Sequence, residues 1–330
     1  MFVDRFNRRH TYLRISVTDR CNLRCAYCMP FERMGWKPRS DILSFEEIVR
    51  VARVGVVNGI EKIRITGGEP LVRNDITILL DRLRTLPGLK TLALTTNAVL
   101  LARHMQTVRR TIDSINISLD TFRPDRFREL TRRDTFSDVI AGIEGAIAAG
   151  YDPVKVNAVV MRGINDDELL DFVRYTLDRP VAFRLIEFMP FAGNEWSQGK
   201  MMGMEEMITR IEKEFALERL PDPESPISRD YAVVERSTGR RARGSIGFIA
   251  SMSQPFCSSC SRLRLTAEGK IMPCLHMLDE FDVRSVLRSG GSDDDIARVF
   301  QNALDAKWEA HPSGDQMAAS TGRVMIQIGG

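Results

Sequence analysis

The sequence lacks a long apolar run and carries little net charge. No stretch of its 330 residues approaches the ~20 apolar residues of a membrane span, so we expect no membrane association. The opening MFVDRFNRRHTYLRIS scatters charges without an apolar segment, so we expect no secretory signal and a cytoplasmic protein. A formal net charge of only +3 argues against a nucleic-acid-binding surface. An anionic ligand would therefore have to be met by locally clustered arginines.

Cysteine is also scarce, and its distribution is uneven. The six cysteines form two tight triads, Cys21, Cys25 and Cys28 near the start of the chain and Cys257, Cys260 and Cys274 near its end. Three disulfides would suit a small extracellular protein. In a large chain with no secretory signal, the two triads favour metal binding.

Short β-branched segments alternate with amphipathic segments over the first part of the chain. One amphipathic segment follows Ser44, with Glu47 three residues later, which predicts a helix that begins with a capping box. Six repeats of a strand and a helix predict a parallel sheet with right-handed crossovers, either open or rolled into a barrel. Ligands bind beyond the carboxyl ends of the strands in both architectures. The predicted strands cover residues 12–17, 62–66, 91–96, 114–119, 154–160 and 182–188.

The regular alternation ends after Phe188. A predicted helix, MEEMITRIEKEF, precedes a proline-rich segment at 220–230, and a predicted hairpin leads from there to the second triad. A last helix is predicted over DDIARVFQNALDAKW. We therefore divide the chain into residues 1–220 and 221–330.

The first triad lies directly after the first predicted strand. On a helix its cysteines would share one face and could form a buried apolar stripe. The residues between them are mixed, however, and Pro30 closes the segment, which favours a loop. Thiolates in a tight loop suit zinc or an iron–sulfur cluster. Three thiolates on a four-iron cluster would leave one iron open to a small molecule.

This C-x-x-x-C-x-x-C motif, with Tyr27 before its last cysteine, resembles the radical S-adenosylmethionine superfamily. The resemblance implies that the open iron binds S-adenosylmethionine and that one electron from a 4Fe-4S cluster cleaves it to a 5′-deoxyadenosyl radical. It also implies the fold class: an α/β protein with an incomplete TIM-like barrel of six βα units. A smaller C-terminal α+β domain would close the open side of this barrel.

Two further motifs share this resemblance. TGGEP at 66–70 could be a simple turn with permissive glycine dihedrals, and SLD at 118–120 could simply cap a helix. The resemblance implies instead that S-adenosylmethionine contacts Tyr27, Gly68, Ser118 and Met189.

The second triad allows two interpretations. With His276 it could form a structural zinc site of three thiolates and one imidazole. Without a fourth ligand it would hold a second 4Fe-4S cluster with an open iron.

The segments around both triads are similar, from residue 4 to residue 330, to the radical enzymes that cyclise GTP at the start of molybdenum cofactor biosynthesis. Binding a triphosphate in a dry site requires several guanidinium groups. Arg14 alternates with Leu13 and Ile15, and Arg262 with Leu263, so each set of arginines shares one face of a strand. Arg184 is a further candidate. The resemblance implies GTP contacts for Arg14, Arg64, Thr95, Lys155, Arg262 and Arg264.

The same resemblance implies a lyase reaction. The radical removes a hydrogen atom from ribose C3′ of GTP, and C3′ adds to guanine C8. The cyclised radical then gains an electron and a proton, and Arg14, Arg262 and Arg264 assist. The second cluster would bind the guanine ring, and the terminal Gly329-Gly330 would reach into the site. A reduced flavodoxin-type electron donor, a downstream cyclic pyranopterin monophosphate synthase and a homodimer are the implied partners.

Three other functions stay open: a radical enzyme that modifies a peptide, an electron-transfer protein and a zinc-stabilised binding module. The first usually carries more cysteines, and the second would complete each cluster with a fourth cysteine. The sequence also departs from the family at Ala98, where glycine is usual. If that position needs a positive φ, the loop must shift, which would affect the position of Thr95.

Overall fold

Six parallel strands connected by helices form the first part of the chain, as the sequence predicts. A computed structural model describes residues 1–31, 34–222, 227–320 and 322–329. The first part contains β1 (Tyr12–Ser16), α1 (Phe45–Val57), β2 (Lys62–Thr66), α2 (Ile76–Arg84), β3 (Thr91–Thr96), α3 (Leu101–Thr111), β4 (Ser114–Ser118), α4 (Pro124–Thr131), α5 (Phe136–Ala148), β5 (Val154–Val160), α6 (Leu169–Tyr175) and β6 (Val181–Glu187).

The later part of the chain adds shorter elements. They are α7 (Met204–Ile211), β7 (Phe215–Arg219), β8 (Arg229–Glu235), β9 (Arg241–Ile249), β10 (Arg262–Leu265), β11 (Lys270–Met272), β12 (Phe281–Asp282), α8 (Val283–Arg288), α9 (Asp293–Asp305) and α10 (Gly314–Ser320). The predicted hairpin is confirmed as β8 and β9, which pair antiparallel.

Local sequence signals place several element boundaries correctly. The capping box of α1 is present: the Ser44 hydroxyl accepts from the Glu47 backbone N–H at 3.1 Å, and the Glu47 carboxylate accepts from the Ser44 N–H at 2.7 Å. The helix predicted over MEEMITRIEKEF is too long, because it ends at Ile211 and β7 begins at Phe215. Pairing of β7 with β8 stabilises the extended conformation there, and this contact is not visible in a local pattern.

All twelve strands belong to one sheet, in the order β12-β11-β10-β1-β2-β3-β4-β5-β6-β9-β8-β7. The strands after residue 220 therefore extend both edges of the six-stranded core, with β10 parallel to β1 and β9 parallel to β6. The connection at 250–261 joins these two edges across the open side, in agreement with the predicted incomplete barrel. The division at residue 220 stays a prediction.

The barrel strands have two different faces. In β1, Leu13 and Ile15 are fully buried in the main hydrophobic core, which also contains Ile48 and Val51 of α1. The alternate residues Tyr12 and Arg14 line an internal cavity. None of the helices in the described ranges combines the length and the apolar composition needed to cross a bilayer.

Candidate active site

A cavity of about 350 Å³ lies inside the barrel. It is lined by the predicted cluster ligands and by the residues predicted to contact S-adenosylmethionine or GTP: Arg14, Cys21, Cys25, Tyr27, Cys28, Arg64, Gly68, Thr95, Ser118, Lys155, Met189, Cys257, Cys260, Arg262, Arg264 and Cys274. Arg184 and His276 line it as well. Residues from both ends of the chain are thus brought to one internal space.

The two triads lie at opposite ends of the barrel. The first follows β1 and therefore lies at the carboxyl ends of the parallel strands. Cys257 and Cys260 precede β10, which runs parallel to β1, and Cys274 follows the antiparallel β11. The second triad consequently lies at the amino ends of the strands. The first triad therefore lies at the carboxyl ends, where ligands were expected, and the second triad does not. Ligand binding at the carboxyl ends stays a prediction.

A tight turn holds the first triad. The backbone N–H groups of Cys28 and Met29 both donate to the Cys25 carbonyl, at 3.0 and 2.8 Å, and the Arg24 guanidinium donates to the Cys21 carbonyl at 2.8 Å. Burial, followed by the Glu69 carboxylate, raises the pKa of Cys21 to about 11. A thiol in such surroundings ionises when a bound metal stabilises the thiolate. Three partly buried thiols on one turn therefore fit the three-cysteine ligation of a four-iron cluster.

The two glycines of TGGEP allow close contact with this cysteine loop. A Cβ atom on Gly68 would lie 2.3 Å from the Arg20 carbonyl oxygen, and one on Gly67 would lie 2.9 Å from the Thr18 carbonyl oxygen. The backbone N–H groups of Gly68 and Glu69 donate to these same two carbonyls, each at 2.8 Å. Neither glycine has a positive φ. These positions therefore require space rather than the permissive dihedrals of the simple turn.

The buried Glu69 carboxylate connects the loops after β2 and β3. It accepts from the Thr96 hydroxyl at 2.8 Å and from the Asn97 backbone N–H at 2.6 Å. The Asn97 amide in turn donates to the Asn22 side chain at 2.8 Å and points toward the Cys21 Sγ at 3.6 Å. This series of hydrogen bonds connects the loops after β2 and β3 to the cysteine loop and so positions Cys21.

Ala98 adopts the left-handed conformation that glycine favours, with φ of 65°. Its methyl group is buried, and a Cβ atom on Gly142 of α5 would lie only 2.8 Å from it. The absence of a side chain at Gly142 therefore provides the space for Ala98. Thr95 still lines the cavity, and its hydroxyl accepts from Arg64 at 3.3 Å.

Tyr27 is fixed beside the first triad by Asp120. Its hydroxyl donates to one carboxylate oxygen of Asp120 at 2.8 Å, and the Val159 backbone N–H donates to the other at 2.9 Å. Burial raises the pKa of Asp120 to about 6. Ser118 ends β4 two residues earlier, and the Met189 carbonyl accepts from the Asn194 amide at 2.8 Å.

Basic side chains hold the second triad. The Arg8 guanidinium donates to the Cys257 carbonyl at 2.7 Å, and the buried Lys307 ammonium donates to the Arg262 carbonyl at 3.0 Å and to the Pro273 carbonyl. Burial raises the pKa of Cys260, but Arg262 and Lys307 outweigh this effect and lower the pKa to about 6. The site thus favours a thiolate at this position.

His276 is packed between aromatic rings. Its ring lies 5.7 Å from that of Phe191 and 5.3 Å from that of His311, and burial together with the charges of His311 and Arg264 lowers its pKa to about 3. Across the described ranges, no three His, Cys, Asp or Glu side chains form a group that could hold a single metal ion. A four-iron cluster does not need such a group, because each thiolate binds a different iron.

Basic side chains line the cavity between the two triads. We call this group, which comprises Arg14, Arg64, Arg264, Lys155 and Arg184, the cationic belt. Arg264, Arg14 and Arg64 stand opposite one another on β10, β1 and β2. Burial lowers the pKa of Arg14 to about 10 and that of Arg264 well below its ordinary value. Within the described part of the chain, Arg264 Nη1 is buried without a hydrogen-bond partner. Such a buried guanidinium group fits an anionic ligand in the cavity.

The belt continues on the opposite wall. Burial and the charges of Arg184 and Arg64 lower the pKa of Lys155 to about 8. Arg184 forms an ion pair with Asp230 at 3.0 Å. The Asn116 and Asn157 side chains also line this wall, and each has a buried amide oxygen with no partner among the described residues. These groups can accept hydrogen bonds from ligand hydroxyl groups.

The C-terminal tail enters the mouth of the barrel. Gly329 has φ of 76°, and a Cβ atom there would lie 2.8 Å from the Ser16 Cβ and 2.9 Å from the Thr66 Oγ1. Ile326 and Ile328 are buried beside it. Gly329 of the tail therefore lies against Ser16 and Thr66, the last residues of β1 and β2. Gly330 lies outside the described residues.

Comparison with known proteins identifies the family. The family model "Radical SAM superfamily" matches residues 15–176, and "Molybdenum Cofactor Synthesis C" matches residues 181–313. The chain is 45% identical over 330 residues to "GTP 3′,8-cyclase" of Heliobacterium modesticaldum, covering 99% of this chain and 100% of that protein. The chain belongs to the GTP 3′,8-cyclase family.

Other relatives of this cyclase family are similar over the whole chain. The mitochondrial GTP 3′,8-cyclase of Arabidopsis thaliana is 44% identical over 100% of this chain and 84% of its own length. Molybdenum cofactor biosynthesis protein 1 of Bos taurus is 44% identical, and the chain spans only 51% of that protein. The structure of Streptococcus suis SuiB bound to S-adenosylmethionine matches with a TM-score of 0.64 at 15% identity, covering 97% of this chain and 72% of that one. This likeness supports the fold.

Several cavity residues escaped the sequence analysis. Tyr12 and Lys62 lie two positions before Arg14 and Arg64, so strand alternation could have identified them. Asp120 belongs to the SLD motif but was assigned no contact. Lys307 carried no local signal, because it lies 33 residues after Cys274 and reaches the triad through the fold alone.

Proposed function

We propose that this protein is a radical S-adenosylmethionine lyase that converts GTP into (8S)-3′,8-cyclo-7,8-dihydroguanosine 5′-triphosphate, the first step of molybdenum cofactor biosynthesis. The observation that carries the proposal is the placement of two cysteine triads at opposite ends of one cavity, with a cationic belt between them. The names of the full-length relatives support GTP as the substrate.

Cys21, Cys25 and Cys28 would hold the 4Fe-4S cluster of the radical S-adenosylmethionine superfamily. Their turn opens onto the cavity at the carboxyl ends of the strands, which supports this assignment. When bound, the cluster and S-adenosylmethionine would supply the radical that removes hydrogen from ribose C3′; C3′ would then bond to guanine C8, and the cyclised radical would take up one electron and one proton to give the product. The residues proposed to contact S-adenosylmethionine are Tyr27, Gly68, Ser118 and Met189.

Cys257, Cys260 and Cys274 would hold a second 4Fe-4S cluster, with guanine at its open position. Support comes from their location across the cavity from the first triad and from the anchoring of their loop by Arg8. A guanine at that end directs the nucleotide along the cavity. The ribose then lies between the two triads, and its triphosphate lies against the belt.

The cationic belt would bind the triphosphate. Arg14, Arg64 and Lys155 supply positive charge, and Thr95 supplies a hydroxyl group beside Arg64. Arg262 and Arg264 lie on β10, two and four residues after Cys260 of the second triad, so they would meet the charge that develops near guanine. We assign catalytic roles to Arg14, Arg262 and Arg264, because pre-positioned guanidinium groups stabilise such charge in a site that excludes water.

The proposal includes further partners and the organisation of the chain. A reduced flavodoxin-type protein would act as the electron donor, and cyclic pyranopterin monophosphate synthase would consume the product. We also propose a cytoplasmic homodimer and a division of the chain into residues 1–220 and 221–330. Analytical ultracentrifugation and limited proteolysis test the last two statements.

Anaerobic assays test the activity. Protein reconstituted with iron and sulfide, incubated with S-adenosylmethionine and a reductant, should form 5′-deoxyadenosine faster with GTP than with ATP, CTP or UTP.

Replacing the three cysteines of either triad by alanine should remove about half of the acid-labile sulfide and abolish cyclisation. Arg264→Ala should lower the rate at least tenfold, whereas the exposed Arg103→Ala should not.

The outcomes separate the alternatives. Equal stimulation by all four nucleotides would contradict the cyclase proposal and leave a radical enzyme that acts on another substrate, such as a peptide. Zinc without acid-labile sulfide in protein purified anaerobically would favour the zinc-stabilised binding module.

A further inference from the structure

Tyr12 is enclosed by positive charge inside the cavity. It begins β1 and is only 6% exposed. Its hydroxyl accepts a hydrogen bond from Arg64 Nε at 2.6 Å, and the Lys62 ammonium lies 4.9 Å from the centre of its ring. In the sheet, Arg262 of β10 and Lys62 of β2 are its direct neighbours.

The other charged groups of the cavity wall reinforce this environment. Arg14 follows on the same face of β1, Arg264 lies opposite Arg14 on β10, and Lys155 lies across the cavity. On the β6 side, the Asp230 carboxylate is already paired with Arg184 at 3.0 Å. The Cys260 thiol, the other acidic group of this wall, faces Arg262 and Lys307. The Tyr12 phenol is therefore the group that can supply a negative charge next to Arg64, Arg14 and Lys62.

The electrostatic balance at the phenol agrees with this geometry. Burial raises the pKa of Tyr12, but the charges of Arg64, Arg14 and Lys62 outweigh burial and lower the pKa to about 7. An ordinary tyrosine has a pKa of about 10. The hydrogen bond from Arg64 also stabilises the ionised form.

We propose that Tyr12 is a positioning residue that supplies the counter-charge of the cationic belt when the belt holds no phosphate, and that it takes up one proton when a triphosphate enters. The inference rests on the proposed function, because the ligand is the triphosphate of GTP. The proton comes from solvent and converts the phenolate to the phenol. No other bond changes.

The physical reason is charge exchange. Without a ligand, guanidinium and ammonium groups on adjacent strands repel each other, and a phenolate between them reduces that repulsion. A triphosphate brings about four negative charges to the same groups. Two anions then compete for the same cations, and the phenolate becomes neutral while Arg64 stays in place.

This exchange links binding to pH. Below about pH 7 the phenol is already protonated, so binding requires no proton at this residue. Above that pH, binding must first protonate Tyr12, so the affinity for GTP falls as pH rises. The Tyr12 contribution alone should lower the affinity about tenfold between pH 6 and pH 8. Lys155, with its pKa of about 8, adds a further loss above pH 8.

The test measures protons taken up on binding. Cluster-loaded protein is titrated with GTP by calorimetry, without S-adenosylmethionine or reductant, in two buffers of different ionisation enthalpy at pH 6 and pH 8. Wild type is compared with Tyr12→Phe and with Tyr151→Phe. Tyr151 is a matched control, because its buried hydroxyl donates to the Val108 and Ile112 carbonyls, both at 3.0 Å.

At pH 8, wild type and Tyr151→Phe should each take up about 0.9 proton more than Tyr12→Phe, and at pH 6 only about 0.1 more. Equal uptake by wild type and Tyr12→Phe at pH 8 overturns the proposal. Ultraviolet difference spectra provide a measurement on wild type alone, should Tyr12→Phe not fold. Loss of tyrosinate absorption on adding GTP at pH 8 supports the exchange, and an unchanged spectrum overturns it.

A failure of the proposed function would look different. If wild type does not bind GTP, the cyclase proposal fails, and inorganic tripolyphosphate replaces GTP as the probe. Tyr12-dependent proton uptake with tripolyphosphate would then still support the exchange. If tripolyphosphate also causes no Tyr12-dependent proton uptake, the proposed charge exchange is overturned together with the cyclase proposal.

Discussion

Single residues of the cavity owe their positions to the two-residue period of a strand. Leu13 and Ile15 pack into the main core, while Tyr12 and Arg14 face the cavity. This separation follows from the order of residues in β1. The lowered pKa of Arg14 does not, because it depends on burial and on Arg64 and Arg262 from other strands.

Lys155 should make GTP binding sensitive to alkaline pH. Burial, Arg184 and Arg64 lower its pKa to about 8, so above that pH the free protein loses this charge and binding must restore it. The Lys155 contribution should weaken GTP binding about tenfold between pH 7 and pH 9. Lys155→Arg, whose guanidinium stays charged, should lack this component in calorimetric titrations. The exposed Lys213→Arg serves as control, and an unchanged pH profile for Lys155→Arg would contradict the prediction.

At the scale of elements, the loops that follow the strands are held by neighbouring loops and helices. The loop after β2 contacts the cysteine loop through Gly67 and Gly68. The loop after β3 lies against α5, where Gly142 faces Ala98. The positions of the first triad and of Thr95 therefore depend on close backbone contacts between separate elements.

Two glycines of α5 should respond oppositely to alanine. In a helix, Gly→Ala usually stabilises by about 0.5–1 kcal/mol, and Gly145→Ala should do so because its Cβ would meet only Met105 Cε at 3.7 Å. A Cβ atom at Gly142 would lie 2.7 Å from the Ala98 carbonyl oxygen. Gly142→Ala should therefore lower the free energy of unfolding by about 2 kcal/mol in urea titrations.

A double variant separates the two contacts at Gly142. Ala98→Gly removes the methyl group 2.8 Å away but leaves the carbonyl oxygen, so it should restore only part of the stability lost in Gly142→Ala. If Gly142→Ala proved as stable as Gly145→Ala, this result would contradict the prediction that α5 packs too closely against Ala98 to accept a side chain at residue 142.

At the scale of the whole molecule, the ends of the chain complete an open barrel. The connection at 250–261 runs from β9 to β10 and contains Cys257 and Cys260 of the second triad, and Arg8 near the N-terminus donates to the Cys257 carbonyl. The C-terminal tail enters at the other end, beside Ser16 and Thr66. The cavity therefore needs the barrel and both ends of the chain.

Replacing Gly329 should reduce catalysis by displacing the tail. An alanine there would adopt an unfavourable positive φ, which costs about 1–2 kcal/mol, and its Cβ would contact Ser16 at 2.8 Å. We expect GTP-dependent 5′-deoxyadenosine formation to fall about tenfold in Gly329→Ala. Gly322→Ala is the control, because its Cβ would approach only the Leu278 side chain at 3.3 Å. Wild-type rates in Gly329→Ala would show that the tail position does not matter for the reaction.

The predictable part of the fold and site has a local origin. Local patterns predict the six barrel strands from their apolar residues and the helix after Ser44 from its capping box. The spacing of the six cysteines likewise predicts two metal-binding triads. β7 and Lys307 were missed because pairing with β8 and packing against the second triad fix them, and neither leaves a pattern in the adjacent residues. The glycines of TGGEP were found, but the space that they require was not, since it is set by the distant Thr18 and Arg20 carbonyls. The contact of Gly68 with S-adenosylmethionine stays a prediction.

The sequence by itself determined which groups could do chemistry here: two sets of three thiols and arginines alternating with apolar residues along strands. Only the tertiary structure decided that these groups share one cavity, with the triads at opposite ends and the cations between them. The physical reason is that residue type and local period act over a few positions. The pairing of β10 with β1 instead brings together segments separated by about 250 residues, and this follows from burial of the whole sheet.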